Sequence, residues 1–324
     1  MEAETRALDA APLEAGVHAG GSRQRVGRAQ PRARSGGALL AHIRDYVALT
    51  KPRIIVLLLV TTVAAMLVAD PDVPSLSTIL WTVLGGYLAA GGAGAINHYL
   101  DRKVDARMAR TSQRPLVSGR IAPRHGLAFG IALGAIAFAQ LALTVNVVAA
   151  ALAATGLLGY VFLYTMWLKP RTPQNIVLGG AAGAVPPLVG WAAATGGLSA
   201  DAFWLFAVVF FWTPPHFWAL SLLIKDDYER TGVPMMPVVR GERTTRSQIL
   251  AYSVLMVVLT ALPSATGFFG GLYLAAALGL GAGFIGLAAL LVARPSRAAA
   301  RRLYLSSLLY LALLFAAMAA DRML

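Results

Sequence analysis

Nine apolar stretches, each about as long as a membrane is thick, constrain the fold of this chain most strongly. A helix needs roughly 20 mainly apolar residues to cross the ~30 Å hydrocarbon core of a bilayer. Of the 324 residues 57% are hydrophobic and only 13% charged, whereas about 25% are charged in a soluble domain. We therefore predict an all-α polytopic membrane protein with nine transmembrane helices. Their approximate bounds are 53–69, 77–97, 124–145, 147–167, 175–195, 202–224, 247–265, 269–292 and 303–320.

The basic residues divide the connections between these helices into two groups. All but one of the 28 Lys and Arg residues fall in alternate connections, and the opposite loops carry none. Because cytoplasmic loops are rich in Lys and Arg, this pattern predicts a cytoplasmic N-terminus and an outside C-terminus. Membrane-flanking charge also explains the net charge of +13 without a nucleic-acid partner. The basic connections are the N-terminal region through Arg53 and the loops 98–124, 168–174, 225–246 and 294–302.

The N-terminal residues differ in composition from the rest. Residues 1–40 are rich in Ala, Gly and Arg and have no apolar period. Such a composition cannot bury a core, so we predict a disordered basic cytoplasmic tail, followed by a membrane domain over residues 41–324. The chain contains no cysteine, which excludes a disulfide, a cysteine-ligated iron–sulfur cluster and a thiol nucleophile.

Two acidic motifs stand at the ends of the second and sixth predicted helices. In the first acidic motif, Asn97, Asp101 and Asp105 follow one another at spacings of four and share one helical face. The second acidic motif contains Asp226 and Asp227. Carboxylates at membrane depth are costly unless they are paired, hydrated or metal-bound, which favours a functional role. The competing interpretation is a solvated loop with local ion pairs, for example between Asp101 and a following basic residue.

Carboxylate and amide oxygens in this arrangement suit Mg²⁺, which binds a few carboxylates together with water and substrate phosphates. Basic residues follow the first motif and occupy the neighbouring predicted cytoplasmic loop. Their side chains can bind phosphate oxygens and so hold a diphosphate. The candidate diphosphate-binding residues are Arg110, Arg114, Lys169 and Arg171.

Three long strings in the sequence resemble a known family. The pattern NxxxDxxxDxxMxRTxxRPL is similar to the first aspartate motif of the UbiA-type intramembrane prenyltransferases. The strings DDYxxxGxPMxPVV and YTMWLKPRTPQNIVLGGAAGAVPPLVGW resemble, more narrowly, the protoheme IX farnesyltransferase (haem O synthase) branch of that superfamily. The resemblance covers about residues 45–320. One departure is His98, because an additional Asp often follows the Asn in the superfamily. The short acidic set before Tyr228 is a second departure.

The resemblance implies nine helices around a central cavity that opens toward the lipid, with the two motif loops as a cytoplasmic cap. It implies that a farnesyl group passes from farnesyl diphosphate to a vinyl group of haem b, giving haem O and diphosphate. Mg²⁺ would be the cofactor and haem b a substrate. The expected location is the inner membrane of a bacterium, where haem A synthase or terminal oxidase assembly factors are conceivable partners.

The resemblance also suggests roles for individual residues. Carboxylates of both motifs would act in catalysis, and they would bind the metal together with Asn97. The catalytic and metal-binding residues would be Asn97, Asp101, Asp105, Asp226 and Asp227. A pocket for the prenyl chain and the acceptor would contain Tyr160, Tyr164, Trp191, His216 and Tyr228. His216 could ligate haem iron or contact a propionate. For each aromatic residue, the competing interpretation is ordinary packing. For His216, it is a buried histidine with a hydrogen bond to a neighbouring helix.

Two other functions compete with this interpretation. A UbiA-type enzyme with the same diphosphate chemistry could prenylate an aromatic precursor of a quinone instead of haem. A secondary transporter could also use acidic residues to coordinate cations. A transporter predicts acids near the bilayer midplane and inverted repeats, whereas these acids lie at predicted helix ends beside arginines.

Overall fold

The structure is a computed structural model that describes residues 35–70 and 72–324. Within these ranges the chain forms twelve α-helices and one π-helical segment. They are α1 (Ser35–Thr50), α2 (Pro52–Ala69), α3 (Leu76–Asp105), α4 (Pro123–Thr144), α5 (Val147–Leu158), the π segment (Gly159–Leu168), α6 (Asn175–Thr195), α7 (Ala200–Leu223), α8 (Lys225–Thr231), α9 (Met236–Val239), α10 (Gly241–Ala265), α11 (Gly271–Ala293) and α12 (Arg297–Met323).

The prediction of nine membrane-spanning helices is confirmed. Among the described residues, nine helices are long and apolar enough to cross a bilayer, with α5 and the π segment counted as one. Their outer faces carry large apolar side chains such as Ile131, Phe162 and Leu309 that are exposed in the monomer. In a membrane these side chains contact lipid, so the protein is a multi-pass membrane protein.

Helix α3 is longer than the sequence pattern predicts. The predicted span ends near residue 97, but the helix continues through HYLDRKVD to Asp105. No Gly or Pro interrupts this extension, and the last turn carries Arg102 and Lys103, which complement the negative end of the helix dipole. The first acidic motif therefore lies entirely on a helix, and the connection that follows it is shorter than the predicted loop.

The first described helix overlaps the predicted tail. Residues 1–34 of the tail predicted over 1–40 lie outside the described residues, whereas α1 begins at Ser35. Helix α1 packs on α3 and ends at Thr50, and the next residue, Lys51, has a left-handed φ of 56°. Pro52 then starts α2 at the first helical position, where its missing N–H is not needed. This break separates a short lateral helix from the first membrane span.

Close helix contacts join the spans into one bundle. Helix α3 packs along α4, α2 packs against α6 and α12, and α7 contacts α6, α10 and α12. At Gly190 of α6, an added Cβ would overlap the backbone carbonyl of Thr62 in α2. At Gly92 of α3, it would lie 2.8 Å from the carbonyl oxygen of Gly130 in α4. The small residues at these positions let the helices approach backbone to backbone.

Two departures from regular helix position functional side chains. The π segment shifts the hydrogen-bond register, so that the Lys169 amide donates to the carbonyl of Tyr164, five residues earlier. Between α7 and α10 the chain forms the short helices α8 and α9, which cover the end of the bundle where α3 ends. We call this end, with the connection 106–122 and residues 225–240, the motif end.

Candidate active site

Asn97 and Asp101 of α3 are the centre of a polar network at the motif end. The Lys51 ammonium donates to Asn97 Oδ1 at 2.6 Å. The Asn97 amide in turn donates to Asp101 Oδ2 at 2.9 Å and to Thr165 Oγ1 at 3.1 Å. Lys169 Nζ donates to the same Asp101 oxygen at 2.5 Å. One turn of α3 is thus tied to the α1–α2 junction and to the π segment.

Lys51 is a site residue that the sequence analysis missed, since it counted this lysine only among the membrane-flanking charges. Burial, with Arg114 the next largest cause, lowers the pKa of the Lys51 ammonium to about 7. The signal that could have identified it is a lysine directly before Pro52 at the start of a membrane span.

Asp105 ends α3 and is held by the connection that follows. The Arg114 guanidinium donates to Asp105 Oδ2 at 2.6 Å, and both side chains are mostly buried. The Thr111 hydroxyl donates to the Asp105 backbone carbonyl at 2.8 Å, which folds the connection back over the helix end. Of the predicted diphosphate ligands, Arg114 and Lys169 are therefore within this site.

Asp227 of the second acidic motif contacts the connection that follows the first acidic motif. The backbone N–H of Ala109 donates to Asp227 Oδ1 at 3.4 Å, and Arg230 pairs with the same oxygen. Arg107 adds a long hydrogen bond to the Thr231 carbonyl at 3.4 Å. Residues separated by more than a hundred positions are thus joined at the motif end, four residues beyond Asp105.

Neighbouring acidic and basic residues differ in what they contact. Asp226 precedes Asp227 on α8 but is exposed, because successive helical residues point about 100° apart. Arg110 is exposed as well. Arg171 donates to the carbonyls of Met166 and Trp167, so in this structure it satisfies the end of the π segment. The structure does not bring these three predicted site residues into the polar network.

The predicted aromatic residues lie at different depths. Tyr160 and Tyr164 stack with ring centroids 5.4 Å apart, and Lys51 Nζ lies 6.0 Å from the Tyr160 ring centre. Tyr228 is buried on α8 next to Asp227. Trp191 is also buried, but it follows the start of α6 by sixteen residues, which is roughly 24 Å along a helix. The tyrosines therefore adjoin the polar network, whereas Trp191 lies toward the opposite end.

His216 lies inside the bundle on α7, where its ring stacks with two aromatic rings. The Trp212 ring stacks on it at 4.3 Å and the Tyr304 ring at 5.0 Å, measured between centroids. Its Nδ1 lies 2.6 Å from Ser307 Oγ on α12. The sequence marks the histidine as a candidate, but its partner Ser307 is ninety-one positions away and carries no local signal.

The oxygen atoms of this site fit a divalent cation that is bound partly by the protein and partly by a phosphate group. Among the described residues no group of three His, Cys, Asp or Glu side chains forms a protein-only metal site. In Asp101 and in Asp105, the Oδ2 atom pairs with a basic side chain of the protein. The Oδ1 atom of each carboxylate accepts no hydrogen bond from the described chain. Mg²⁺ characteristically binds one or two carboxylates together with substrate phosphates.

The fold and this site define a class of protein: a helical-bundle membrane protein with buried pairs of acidic and basic side chains at one end. The chain belongs to the UbiA prenyltransferase family, whose model matches residues 58–315. A UbiA homolog from Archaeoglobus fulgidus, solved with DMAPP and Mg²⁺ bound, shares the fold with a TM-score of 0.64 and 17% identity. That match covers 85% of this chain and 99% of the homolog.

Two curated relatives carry the name protoheme IX farnesyltransferase. The Roseiflexus sp. (strain RS-1) protein is 53% identical over 280 residues, which cover 86% of this chain and 52% of that protein. The Symbiobacterium thermophilum protein is 54% identical over 281 residues, which cover 86% of this chain and 94% of that protein. This chain thus spans about half the length of the Roseiflexus protein and nearly the whole length of the Symbiobacterium protein.

Proposed function

We propose that the protein transfers the farnesyl group of farnesyl diphosphate to a vinyl group of haem b, giving haem O. The observation that carries the proposal is the contact between Asp227 and Ala109, because it brings the second acidic motif against the connection that follows the first, at one end of an apolar bundle. The names of the relatives support haem b as the acceptor. In particular, the Symbiobacterium protein is 54% identical and is covered almost completely.

The reaction requires that an allylic C–O bond break while the diphosphate leaves as an anion. When bound, Mg²⁺ would neutralise the developing negative charge on the diphosphate. The residues that would hold it are Asp101 and Asp105, with Asp227 on the opposite side. Both atoms of the Asn97 amide group are already hydrogen-bonded, so we assign Asn97 to positioning Asp101 and not to binding the metal directly.

Cationic side chains then have a double role at this site. Without substrate, Lys169 and Arg114 neutralise Asp101 and Asp105. When a diphosphate enters, their donors are within reach of its oxygens, and charge-assisted hydrogen bonds of this kind are the strong ones. Lys51 would contribute a further donor beside Asn97. The site therefore exchanges internal ion pairs for contacts to the leaving group.

The bond-forming step occurs on the apolar side of the network. The terminal vinyl carbon forms the new bond to C1 of the farnesyl chain as the diphosphate departs. The cation left on the vinyl group takes up water and releases one proton, which gives the hydroxyl group of haem O. The stacked faces of Tyr160 and Tyr164 can stabilise the allylic cation, and the surrounding apolar side chains exclude premature water.

We further propose that the protein lies in the inner membrane of a bacterium with the motif end in the cytoplasm. The distribution of Lys and Arg supports this orientation, which places the N-terminus inside and the C-terminus outside. Farnesyl diphosphate and haem b would then enter from the cytoplasm or the inner leaflet. The basic segment 1–40 would be a cytoplasmic tail of the membrane domain at 41–324.

The test is to incubate the purified protein with farnesyl diphosphate, haem b and Mg²⁺ and to analyse the extracted porphyrin by mass spectrometry. We expect a mass gain equal to one farnesyl group plus one hydroxyl group, dependent on both the diphosphate and Mg²⁺. A parallel reaction offers 4-hydroxybenzoate as the acceptor. Prenylation of this aromatic acid with unmodified haem would overturn the proposed acceptor, and no prenylated product from either would overturn the proposed reaction.

A further inference from the structure

Two hydrogen bonds fasten one turn of α7 to a single residue of α12. Trp212 Nε1 donates to the Ser307 backbone carbonyl at 2.9 Å, and His216 Nδ1 lies 2.6 Å from the Ser307 hydroxyl oxygen. Trp212 and His216 are four positions apart and lie on the same helix face. Ser307 is completely buried, and His216 nearly so. The imidazole ring is thus fixed in position and in orientation.

The hydroxyl proton of Ser307 determines the tautomer of His216. Ser307 Oγ also lies 2.6 Å from the Tyr304 backbone carbonyl, which can only accept a hydrogen bond. The serine proton is therefore used there, and the serine oxygen must accept from the histidine. Consequently Nδ1 carries the imidazole proton and Nε2 carries the lone pair.

The nitrogen with the lone pair has no hydrogen-bond partner in the described part of the chain. Nε2 of His216 accepts no hydrogen bond there, and 7% of the residue's surface remains exposed. The Trp212 and Tyr304 rings both stack on the imidazole, so we expect a ligand to bind at its edge. Iron-binding histidines commonly donate their other N–H to a protein acceptor in this way.

We propose that His216 Nε2 is an axial ligand to the iron of the haem acceptor, and that Ser307 is the positioning residue that fixes the required tautomer. The proposal rests on the proposed function, which supplies haem as a substrate. An iron–nitrogen bond would hold the porphyrin at one point and leave its vinyl edge to be turned toward the prenyl chain. The competing explanation is that both hydrogen bonds only pack α7 against α12.

The test compares haem b with metal-free protoporphyrin IX, which has the same ring, vinyl groups and propionates but no iron. Both are titrated into the full-length protein in detergent, and affinity and the Soret band are recorded. The variants are His216→Ala and Ser307→Ala. The matched control is Ser253→Ala, because Ser253 is likewise completely buried and donates only within its own helix α10.

We expect His216→Ala to abolish the shift in the Soret band that marks histidine ligation and to weaken only haem binding. We expect Ser307→Ala to weaken haem binding about 10- to 100-fold, the usual effect of removing such a positioning partner. Protoporphyrin affinity should remain within about twofold, which also shows that the variants fold. Ser253→Ala should bind both porphyrins as the unmodified protein does.

Equal losses for haem and protoporphyrin in either variant would show that the contact serves packing and would overturn the proposal. Unchanged haem affinity and an unchanged Soret band in His216→Ala would do the same. These results are separate from the proposed function, because farnesyl transfer to haem is measured on the unmodified protein. If that protein binds haem through His216 but transfers no farnesyl group, the proposed function fails and the iron ligand stands.

Discussion

Replacing Lys169 by Met tests whether basic side chains of the protein neutralise the buried carboxylates of the site. The change keeps most of the apolar side-chain length but removes the ammonium that lies 2.5 Å from Asp101 Oδ2. The exposed fractions of the two side chains are only 14% and 10%. Removing one partner of a buried pair costs about 3–5 kcal/mol. Because Asp101 keeps the hydrogen bond from Asn97, we expect a loss near the lower limit, about 3 kcal/mol.

The double variant Asp101→Asn/Lys169→Met isolates the charge. It removes the buried unpaired carboxylate, so most of the lost stability should return. Farnesyl transfer should stay low in the single and the double variant, because neither restores a carboxylate with its cationic partner. Lys225→Met is the matched control, since Lys225 pairs with Glu229 and Glu242 at the surface. Exposed pairs of this type contribute only about 0–1 kcal/mol.

The assay is equilibrium unfolding of the substrate-free protein in detergent, with the free energy of unfolding compared across the four proteins. A Lys169→Met protein as stable as the Lys225→Met control would refute the reasoning. A double variant no more stable than Lys169→Met would refute it as well, because the cost would then not arise from the unpaired carboxylate.

Three further predictions concern the neighbouring acids and one helix contact. Asp105→Asn should reduce turnover on the order of 10²-fold or more at saturating Mg²⁺, measured by product mass, because it removes a carboxylate that would hold Mg²⁺ against the leaving diphosphate; near-normal turnover would exclude Asp105 as a ligand. Asp227→Asn should have a similar effect, whereas Asp226→Asn should retain most activity because that carboxylate is exposed; equal losses would contradict the distinction. Gly190→Ala should lower stability by about 1–3 kcal/mol through overlap with α2, and Gly183→Ala, which meets no atom within 4 Å, should not; matching unfolding curves for both would argue against the close contact.

The membrane spans could be predicted because they depend on the length of an apolar stretch. The shared face of the acidic motif could be predicted because it depends on the helical period. An apolar stretch of about twenty residues has few folds available in lipid, and the spacing of Asn97, Asp101 and Asp105 fixes their common face. The predicted end of α3 is too early, because the polar residues that follow Asn97 resemble a loop in composition. In the structure, the last turns of α3 leave the apolar region but remain helical as far as Asp105.

The partners of the charged residues could not be predicted, because they depend on how distant helices pack. Nothing near Lys51 in the sequence shows that its ammonium reaches Asn97, or that Arg171 turns back to the carbonyls of its own segment. Asp226 and Asp227 are equivalent in sequence and differ only in the rotation of a seven-residue helix. The serine that orients His216 lies on another span altogether.

Because of the π segment, we expect this span to tolerate the deletion of a residue less well than the neighbouring spans. Thr165 lies near the end of the segment and Lys169 directly follows it, and both reach α3 in the shifted register, in which the Lys169 amide bonds five residues back. Deleting one residue here would let regular α-helix form again, but it would turn both side chains by about 100° relative to α5. The shortened helix would still cross the membrane. Homologous sequences should therefore be aligned without a gap in this segment. A designed variant with regular α-helix here would have more regular hydrogen bonds, but its lysine would no longer point toward α3.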